Sequence, residues 1–550
     1  MKLAIAQINS VLGDIQGNTR KIIRYMKEAK RLDVDLVAFP ELAITGYPPQ
    51  DLLYDENFIL ENKRLLQTIV KWSLGITVVI GFVDRNPRKK NYEGLPVLYN
   101  AAAVVSDGQI LGTQYKTLLP TYDVFNETRY FEPAQQNRLF RVNGVKMGVQ
   151  VCEDMWDDPY DTKVSAILTQ KGANIIVNIS ASPFYSGKRF DRLKLLQKHA
   201  RNNSIPILYA NLVGGQDGLV FDGESLVVDK TGNLIAIGKQ FEEDLVITEI
   251  NLVDGIGKEV KLPRYDRDGE IFLALTLGLR DYCLKNGFKK VILGLSGGID
   301  SSVTAAIASE AMGAKNVLGI SMPSIYTSNL SNTLASEQAS NLGIDYKVRP
   351  IQDIVKAQKD VLLKEFSICV NDVVEENLQV RIRGIILMAL SNMWGYLVLA
   401  TGNKTELALG YCTLYGDMVG GIGVLSDVSK TQVYKLASYV NKKYGRDIIP
   451  RDAITRRPTA ELREGQLDPF DYDVISPLVD EIIENRRSIM QLIKLGYRKK
   501  DIKETMTKIR RAEHKRWQAA PGIKITKRAF GIGRKMPISN QYRHRFDSGI

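Results

Sequence analysis

The chain has 550 residues, more than one compact core holds, so two to four domains are expected. Its 44% hydrophobic and 25% charged residues are ordinary for a soluble protein, and the lack of low-complexity tracts or short-period repeats excludes a solenoid or a disordered scaffold. The formal net charge of +12 is uneven: residues 486–550 hold 19 Lys/Arg against 4 Asp/Glu, which suits either a solvated face or a site for a phosphorylated substrate or nucleic acid.

The chain opens on MKLAIAQINSVLGD, whose apolar stretch is too short and too polar for a signal peptide. LAIAQI, LVAFP, ITVVIGFV, NAAAVVS, MGVQVC, IIVNIS and ILYANLV then predict strands, and residues 18–31 and 191–202 predict helices. The turn-bearing VSDGQILG and VVDKTGNLI predict hairpins. Together these make an α/β domain over residues 1–250. The polar stretch 251–268, with its glycines and a proline, reads as a linker.

A second domain over residues 269–550 begins with a helix at 270–285. It continues as VILGLSGGIDSSVTAAIASEAMG, a strand, glycine-rich turn and helix, with VLGISMPS and YKVRPI as further strands. This predicts a doubly wound parallel sheet opening on a phosphate loop. The uncharged run 384–403 is long enough to cross a bilayer, but Ser391, Asn392, Gly395 and Thr401 interrupt it. It reads as a buried helix followed by the core strand GYLVLATG, so no membrane is expected. The basic C-terminal stretch begins as a helix and ends irregular.

The cysteines Cys152, Cys283, Cys369 and Cys412 are widely spread with no CxxC pair, which argues against a disulfide framework or a zinc site and for a cytoplasmic location. Histidine occurs only at His199, His514 and His544, so catalysis must use other bases. Three motifs in the first half supply them: FPELAITGYPP with Glu41, YKTLLPTYDVFNETRYF with Lys116, and VQVCEDMW with Cys152. Each places its polar residue where a strand meets a loop. A thiol needs activation near neutral pH, and a carboxylate can take its proton and return it to a leaving amine. A neighbouring lysine favours thiolate and oxyanion, and the Glu153 backbone N–H just past the nucleophile is a second oxyanion donor.

In this order and context the three resemble the nitrilase superfamily of C–N hydrolases, which implies a Glu41–Lys116–Cys152 triad on an α-β-β-α sandwich. The PP after Tyr47 and the CED around Cys152 resemble the glutaminase branch attached to NAD⁺ synthetases. That branch implies glutamine binding by Tyr122, Ser182 and Lys188. Asn126 stands where the branch often has Asp.

In the second half, GLSGGIDSS after a strand and before a helix lets backbone wrap closely around phosphate, and no GxxxxGK[ST] loop is present. The string resembles the PP-loop ATP pyrophosphatases (adenine nucleotide alpha hydrolase-like), which split ATP between the α and β phosphates. The resemblance implies that Gly294, Leu295, Ser296, Gly297, Gly298, Ile299, Asp300 and Ser301 bind ATP. Asp300 suits Mg²⁺, which prefers carboxylate and phosphate oxygens.

ENLQVRIRG, LATGNKTELALGYCTLYGDMVG and DVSKTQVYKL resemble the NAD⁺ synthetase branch specifically. They imply that Thr401 contacts ATP, that Glu406 completes the Mg²⁺ site, and that Asn377 and Glu406 face deamido-NAD⁺, with Asp417 and Lys430 near the reaction centre. RRPTAEL, from residue 456 to 462, resembles the loop that closes over that site, with Arg457 where proline is common. HKRWQAAPGIKIT resembles the segment that returns to the dinucleotide through Lys515, which gives the basic tail a task without nucleic acid.

The resemblance implies a ligase: glutamine yields ammonia, ATP adenylates deamido-NAD⁺, and ammonia displaces AMP to give NAD⁺, pyrophosphate and glutamate. It also implies a sheltered ammonia passage and homo-oligomers, dimers of the synthetase domain that assemble up to octamers. Two alternatives stay open: an amide or nitrile hydrolase with a regulatory nucleotide-binding domain, and a PP-loop enzyme that modifies tRNA.

Overall fold

The computed structural model describes residues 1–91, 94–366 and 372–542; Cys369 and His544 lie outside them. It divides into one unit of Met1–Gln216 with Val220–Tyr265, and a second of Asp266–Ile550 with Asp217–Leu219.

The first unit holds two main sheets. Seven strands run in the order Ile256–Gly257, Asp244–Asn251, Lys2–Gln7, Leu36–Ala38, Thr77–Lys90, Pro96–Ser106 and Gln109–Tyr115. Six run Leu234–Ile237, Leu226–Val228, Ile207–Asn211, Ile175–Ser180, Val145–Val151 and Leu139–Val142. The period of two along each strand sorts the residues into layers. Leu3 and Ile5 enter a core shared with Val149, Val151, Val177 and Ile179 of the other sheet. Ala4 and Ala6 face the opposite way, against Ile22, Met26 and Ile69 of the helices Ile15–Arg31 and Glu56–Lys71. Ile176, Ile207 and Tyr209 pack on Leu195 and Leu196 of the helix Lys188–Asn203. The result is the expected α-β-β-α sandwich.

The hairpin at Asp107–Gly108 follows its sequence signal: both residues have positive φ, 50° and 77°, which matches the twist of the flanking strands. Of residues 251–268, read from the sequence as a linker, Ile256–Gly257 pairs with Asp244–Asn251, and Val260 and Leu262 pack on the helix side of the second sheet.

In the second unit, five parallel strands lie in the order Asp345–Val348, Val317–Ser321, Val291–Gly294, Leu397–Ala400 and Ile422–Gly423. The chain builds outward from Val291–Gly294 in one direction and then returns to build in the other. The strand order therefore reverses beside Val291–Gly294, and the carboxyl ends of strands at such a point form a ready crevice. Ile292, Leu318, Ile320 and Val398 bury against Val355, Ile382 and Leu387 of the helices Gln352–Phe366 and Asp372–Trp394. The helix Ile299–Met312 packs on the same sheet and on the helices Arg267–Lys285 and Lys430–Tyr444.

The helix Asp372–Trp394 differs from its sequence reading. It is buried along one side only, and Ile385 and Met393 are 60% and 70% exposed. The reading of residues 384–403 as a buried helix and a core strand holds for the strand Leu397–Ala400 and for one side of the helix. Among the described residues no helix is long and apolar enough to cross a membrane. After the short helix Glu513–Arg516 the chain returns to the sheet edge, where Gly423 pairs with Gly522 and Asp427 accepts the backbone N–H groups of Ile525 and Thr526, each at 2.8 Å.

Candidate active sites

In the first unit, loops at the strand ends converge on one buried point. Glu41 follows the strand Leu36–Ala38, Lys116 directly follows Gln109–Tyr115, and Cys152 directly follows Val145–Val151. Their exposures are 0%, 1% and 4%. The backbone turns at Cys152 with φ +46°, a left-handed conformation that a non-glycine residue holds only when its surroundings impose it. Gly81 makes room for the Glu41 turn: a Cβ there would lie 2.2 Å from the Leu42 nitrogen and 2.5 Å from the Pro40 carbonyl oxygen.

Lys116 Nζ donates to Glu41 Oε1 and to Glu127 Oε1, each at 2.8 Å. Glu41 also accepts from Asn100 Nδ2 at 2.7 Å and from the Ala181 backbone N–H at 2.9 Å, while the Tyr47 hydroxyl donates to Glu127 at 2.9 Å. Burial pushes the Cys152 thiol well above its usual range. Glu41 adds to that, and Lys116 offsets only part of it. The resting sulfur therefore keeps its proton, and a base would have to take it before the sulfur could act as a nucleophile. Burial disfavours a charged Lys116, yet Glu127 and Glu41 outweigh it and hold the ammonium protonated. A neutral thiol, a fixed carboxylate and a fixed cation can together carry out acyl transfer.

Glu127 was not singled out from the sequence. Attention there fell on its neighbour Asn126, which precedes the short turn Glu127–Arg129 and makes no side-chain cap bond. The Asn126 departure leaves the buried cluster intact, because the carboxylate that reaches Lys116 belongs to Glu127.

The three residues implied for glutamine surround this point. The Tyr122 hydroxyl donates to the Glu153 carboxylate at 3.0 and 3.1 Å, and the Tyr160 hydroxyl donates to it at 3.0 Å. Ser182 is buried next to Ala181, with its backbone N–H on Asn211 Oδ1 at 3.0 Å. Lys188 begins the helix Lys188–Asn203 with its Nζ 3.9 Å from the centre of the Trp156 ring, and its charge acts on Glu153.

In the second unit a cavity of about 290 Å³ opens at the carboxyl ends of the central strands. Gly294, Leu295, Ser296, Gly298, Ile299, Asp300 and Ser301 line it, together with Thr401, Glu406, Asp417 and Lys430. Gly297 shapes the turn: its φ is +77°, and a Cβ would sit 2.3 Å from the Ser331 carbonyl oxygen. Ser296 Oγ accepts the Gly298 N–H at 3.2 Å, and Ser301 Oγ donates to the Gly298 carbonyl at 3.0 Å, bracing the loop. No side chain caps the helix Ile299–Met312 and its first residues line the cavity, an arrangement suited to phosphate.

Asp300 and Glu406 converge on one cation. Lys430 Nζ donates to Asp300 Oδ2 and, at 3.2 Å, to Glu406 Oε1. Burial pushes Glu406 up to about 7, with Lys430 opposing and Asp300 adding to the shift. Asn403 touches both carboxylates: its Nδ2 donates to Asp300 Oδ1 at 2.8 Å, and its backbone N–H donates to Glu406 Oε2 at 3.3 Å. Among the described residues no group of three or more His, Cys, Asp or Glu could hold a metal by itself.

Asn377 and Lys515 do not line the cavity; they gather at the adjoining loop 410–417. Asn377 Oδ1 accepts from Thr413 Oγ1 at 2.9 Å, and the Thr413 N–H donates to Asp417 at 2.6 Å. Burial pushes Asp417 up to about 6. Lys515 Nζ donates to the carbonyls of Gly410 at 2.9 Å and Cys412 at 2.7 Å. Over the cavity, Arg456 donates to Ser331 Oγ at 2.7 Å, and Glu461 accepts from Ser328 Oγ at 2.8 Å. Arg457 also lines the cavity, so residues 456–462 bring two arginines to its wall.

Comparison with known proteins agrees with both halves. The carbon-nitrogen hydrolase model matches residues 2–256 and the NAD synthase model matches residues 271–519. A glutamine-dependent NAD(+) synthetase of Thermotoga maritima is 42% identical over 99% of each chain, and one of Synechocystis is 41% identical over 98% of this chain and 99% of its own. The chain belongs to the glutamine-dependent NAD(+) synthetase family. A solved synthetase of this family from Acinetobacter baumannii, in complex with ADP, is 39% identical with a TM-score of 0.78 over 98% of each chain. Another, from Cytophaga hutchinsonii, is 22% identical and shares the fold with a TM-score of 0.84 over 98% of this chain and 97% of its own.

For a synthetase of this family, the residues the sequence did not reveal share a physical cause. Glu127 and Asn403 act on partners that only the fold brings near: Tyr47 lies 80 residues before Glu127, and Asp300 lies 103 residues before Asn403. Both lie inside motifs quoted above, YKTLLPTYDVFNETRYF and LATGNKTELALGYCTLYGDMVG, but nothing local singles them out there.

Proposed function

We propose that the chain amidates deamido-NAD⁺ to NAD⁺ in two linked reactions, each run by one unit. The observation that carries this reading is the presence in one chain of a buried thiol–carboxylate–ammonium cluster and a cavity lined by a glycine-rich turn and the start of a helix. One supplies ammonia; the other needs a nitrogen nucleophile.

In the first reaction Cys152 Sγ attacks the glutamine side-chain carbonyl as Glu41 takes its proton. Lys116 and the Glu153 backbone N–H hold the oxyanion. The C–N bond breaks, Glu41 returns the proton to the leaving ammonia, and water then cleaves the thioester to glutamate. Tyr122, Ser182 and Lys188 bind the amino-acid end of glutamine, and the buried Glu153 carboxylate suits its ammonium.

In the second reaction Gly294–Ser301 and Thr401 hold ATP, with Ser296, Gly297, Gly298 and Ser301 around the phosphates and the Arg456 and Arg457 charges above. The nicotinate carboxylate attacks the α-phosphorus and pyrophosphate leaves; ammonia then attacks the acyl carbon and AMP leaves. Asp300 and Glu406, already facing a cation in Lys430, fit Mg²⁺ as two oxygen donors to be completed by phosphate. Bound there, Mg²⁺ neutralises phosphate charge. Lys430 lies against the same carboxylates and Asp417 ends loop 410–417, near which Asn377, Glu406 and Lys515 would meet the dinucleotide.

A cytoplasmic location is supported by the free thiols of Cys152, Cys283 and Cys412. Homo-oligomers are supported by the exposed Ile385, Met388 and Met393 on the helix Asp372–Trp394, an apolar stripe suited to a second copy. NAD⁺ formation from deamido-NAD⁺, ATP and Mg²⁺ is the direct test, with glutamine or ammonium as nitrogen source. Turnover with both, with one AMP and one pyrophosphate per NAD⁺, is expected. ATP cleavage indifferent to deamido-NAD⁺ would overturn the reading.

Lys515→Ala should raise the KM for deamido-NAD⁺ and lower synthetase kcat/KM roughly ten- to a hundredfold, the scale of one charge-assisted contact worth about 1.5–3 kcal/mol. Glutamine hydrolysis measured alone should hardly change. A dinucleotide KM within about twofold of wild type would reduce Lys515 to a tether of the Gly410 and Cys412 carbonyls.

A further inference from the structure

We propose that Asp154 is a positioning residue that fixes Lys116 and Cys152 relative to each other. Its side chain is fully buried, and both oxygens are engaged by backbone. Oδ1 accepts the N–H groups of Thr117 at 2.9 Å and Leu118 at 2.8 Å, the two residues directly after Lys116. Oδ2 accepts the N–H of Val151 at 3.0 Å, the residue directly before Cys152. One rigid carboxylate therefore joins the loop that carries the cation to the turn that carries the nucleophile.

Such a joint is needed here. Cys152 sits at φ +46°, a conformation its own preference does not supply, and Lys116 must point at Glu41 and Glu127 while staying beside the sulfur. A carboxyl group is suitable because three N–H donors face it and its two oxygens can accept from all of them; burial pushes it up to about 7, and the same three N–H groups pull against that shift. An amide has one acceptor oxygen and presents N–H groups on the other side, so it can serve one segment but not both.

The proposal rests on the assignment of Cys152 and Lys116 to the amidase reaction. Asp154→Asn and Asp154→Ala in the full-length enzyme test it. Glutamine hydrolysis should lose kcat roughly tenfold in Asp154→Asn and roughly a hundredfold in Asp154→Ala, the scale on which misplacement by about 1 Å slows a positioned reaction. The KM for glutamine should stay within about threefold, and ammonium-driven NAD⁺ synthesis within about twofold, because neither binding nor the second unit is touched. Alkylation of Cys152 by iodoacetamide should change in the same order, since it reads the sulfur without glutamine. Unchanged kcat in both variants overturns the proposal. A raised KM at unchanged kcat also overturns it, because Asp154 would then serve the substrate. Loss of the first unit's thermal transition in Asp154→Asn together with the activity overturns it as well, since the role would be folding alone. The underlying assignment fails separately: glutamine hydrolysis that survives Cys152→Ala removes it whatever Asp154 does.

Discussion

Replacing Cys152 by alanine should abolish NAD⁺ formation from glutamine and leave formation from ammonium intact. The thiol is the nucleophile proposed for the first unit, and nothing nearby replaces it. The groups around it are Glu41, Lys116 and Glu127, two carboxylates and an ammonium engaged with each other at 2.8 Å. Loss of a nucleophile from a preorganised cluster costs on the order of a millionfold in kcat. The side chain is small and buried, so its removal leaves a modest cavity and the fold should persist. Parallel assays with glutamine and with ammonium at saturating ATP and deamido-NAD⁺ separate the outcomes. A parallel fall of the ammonium-driven rate in a folded variant would sink the proposed division of labour.

Asp300→Asn should remove synthesis with either nitrogen source by roughly a hundred- to a thousandfold, the scale of losing one electrostatic group aimed at the reacting charge. Two consequences combine. The amide is a far poorer magnesium ligand than the carboxylate. The change also strips Lys430 of one of its two counter-charges, so the remaining Glu406 must balance it alone. Isothermal titration of ATP with and without Mg²⁺ should show the metal-dependent part of binding weakened, a readout independent of turnover. Basal glutamine hydrolysis should survive. Near-normal ammonium-driven turnover at ordinary Mg²⁺ would take Asp300 out of the metal site.

What the sequence disclosed and what it withheld divide along a physical line. Cys152 and the glycines before Asp300 were legible because their chemistry depends on local chain geometry, a strand followed within a few residues by a sharp turn. The strands were legible because LAIAQI, MGVQVC and IIVNIS are short apolar runs, buried on both faces in the fold, whereas their layering into a sandwich was implied only by the resemblance of the Glu41, Lys116 and Cys152 motifs to the nitrilase superfamily. Glu127 was not, since its carboxylate matters only through Lys116 and Tyr47. Asn403 was not, since its capping geometry looks ordinary until Asp300 is seen at 2.8 Å from its amide. Residues 384–394 misled because an uncharged run can be apolar for the sake of an exposed stripe as well as a buried one. The polar composition of 251–268 concealed Val260 and Leu262, two apolar residues packed on the second sheet's helix face.

The placement of the strand Lys2–Gln7 has a consequence for biosynthesis. It lies inside its sheet, with Leu36–Ala38 parallel on one side and Asp244–Asn251 antiparallel on the other, pairing Lys2 with Glu249 and Gln7 with Asp244. During translation the early strand is thus left with one unpaired edge until residues some 240 positions later have emerged from the ribosome. Such an edge invites pairing with other chains, and closing so long a loop is slow. A nascent chain stalled before Asp244 carries the nucleophile and the lysine but lacks a strand of the seven-stranded sheet whose last strand leads into Lys116. The thiol unit therefore matures as a whole, at about the moment the ribosome begins the phosphate-binding half.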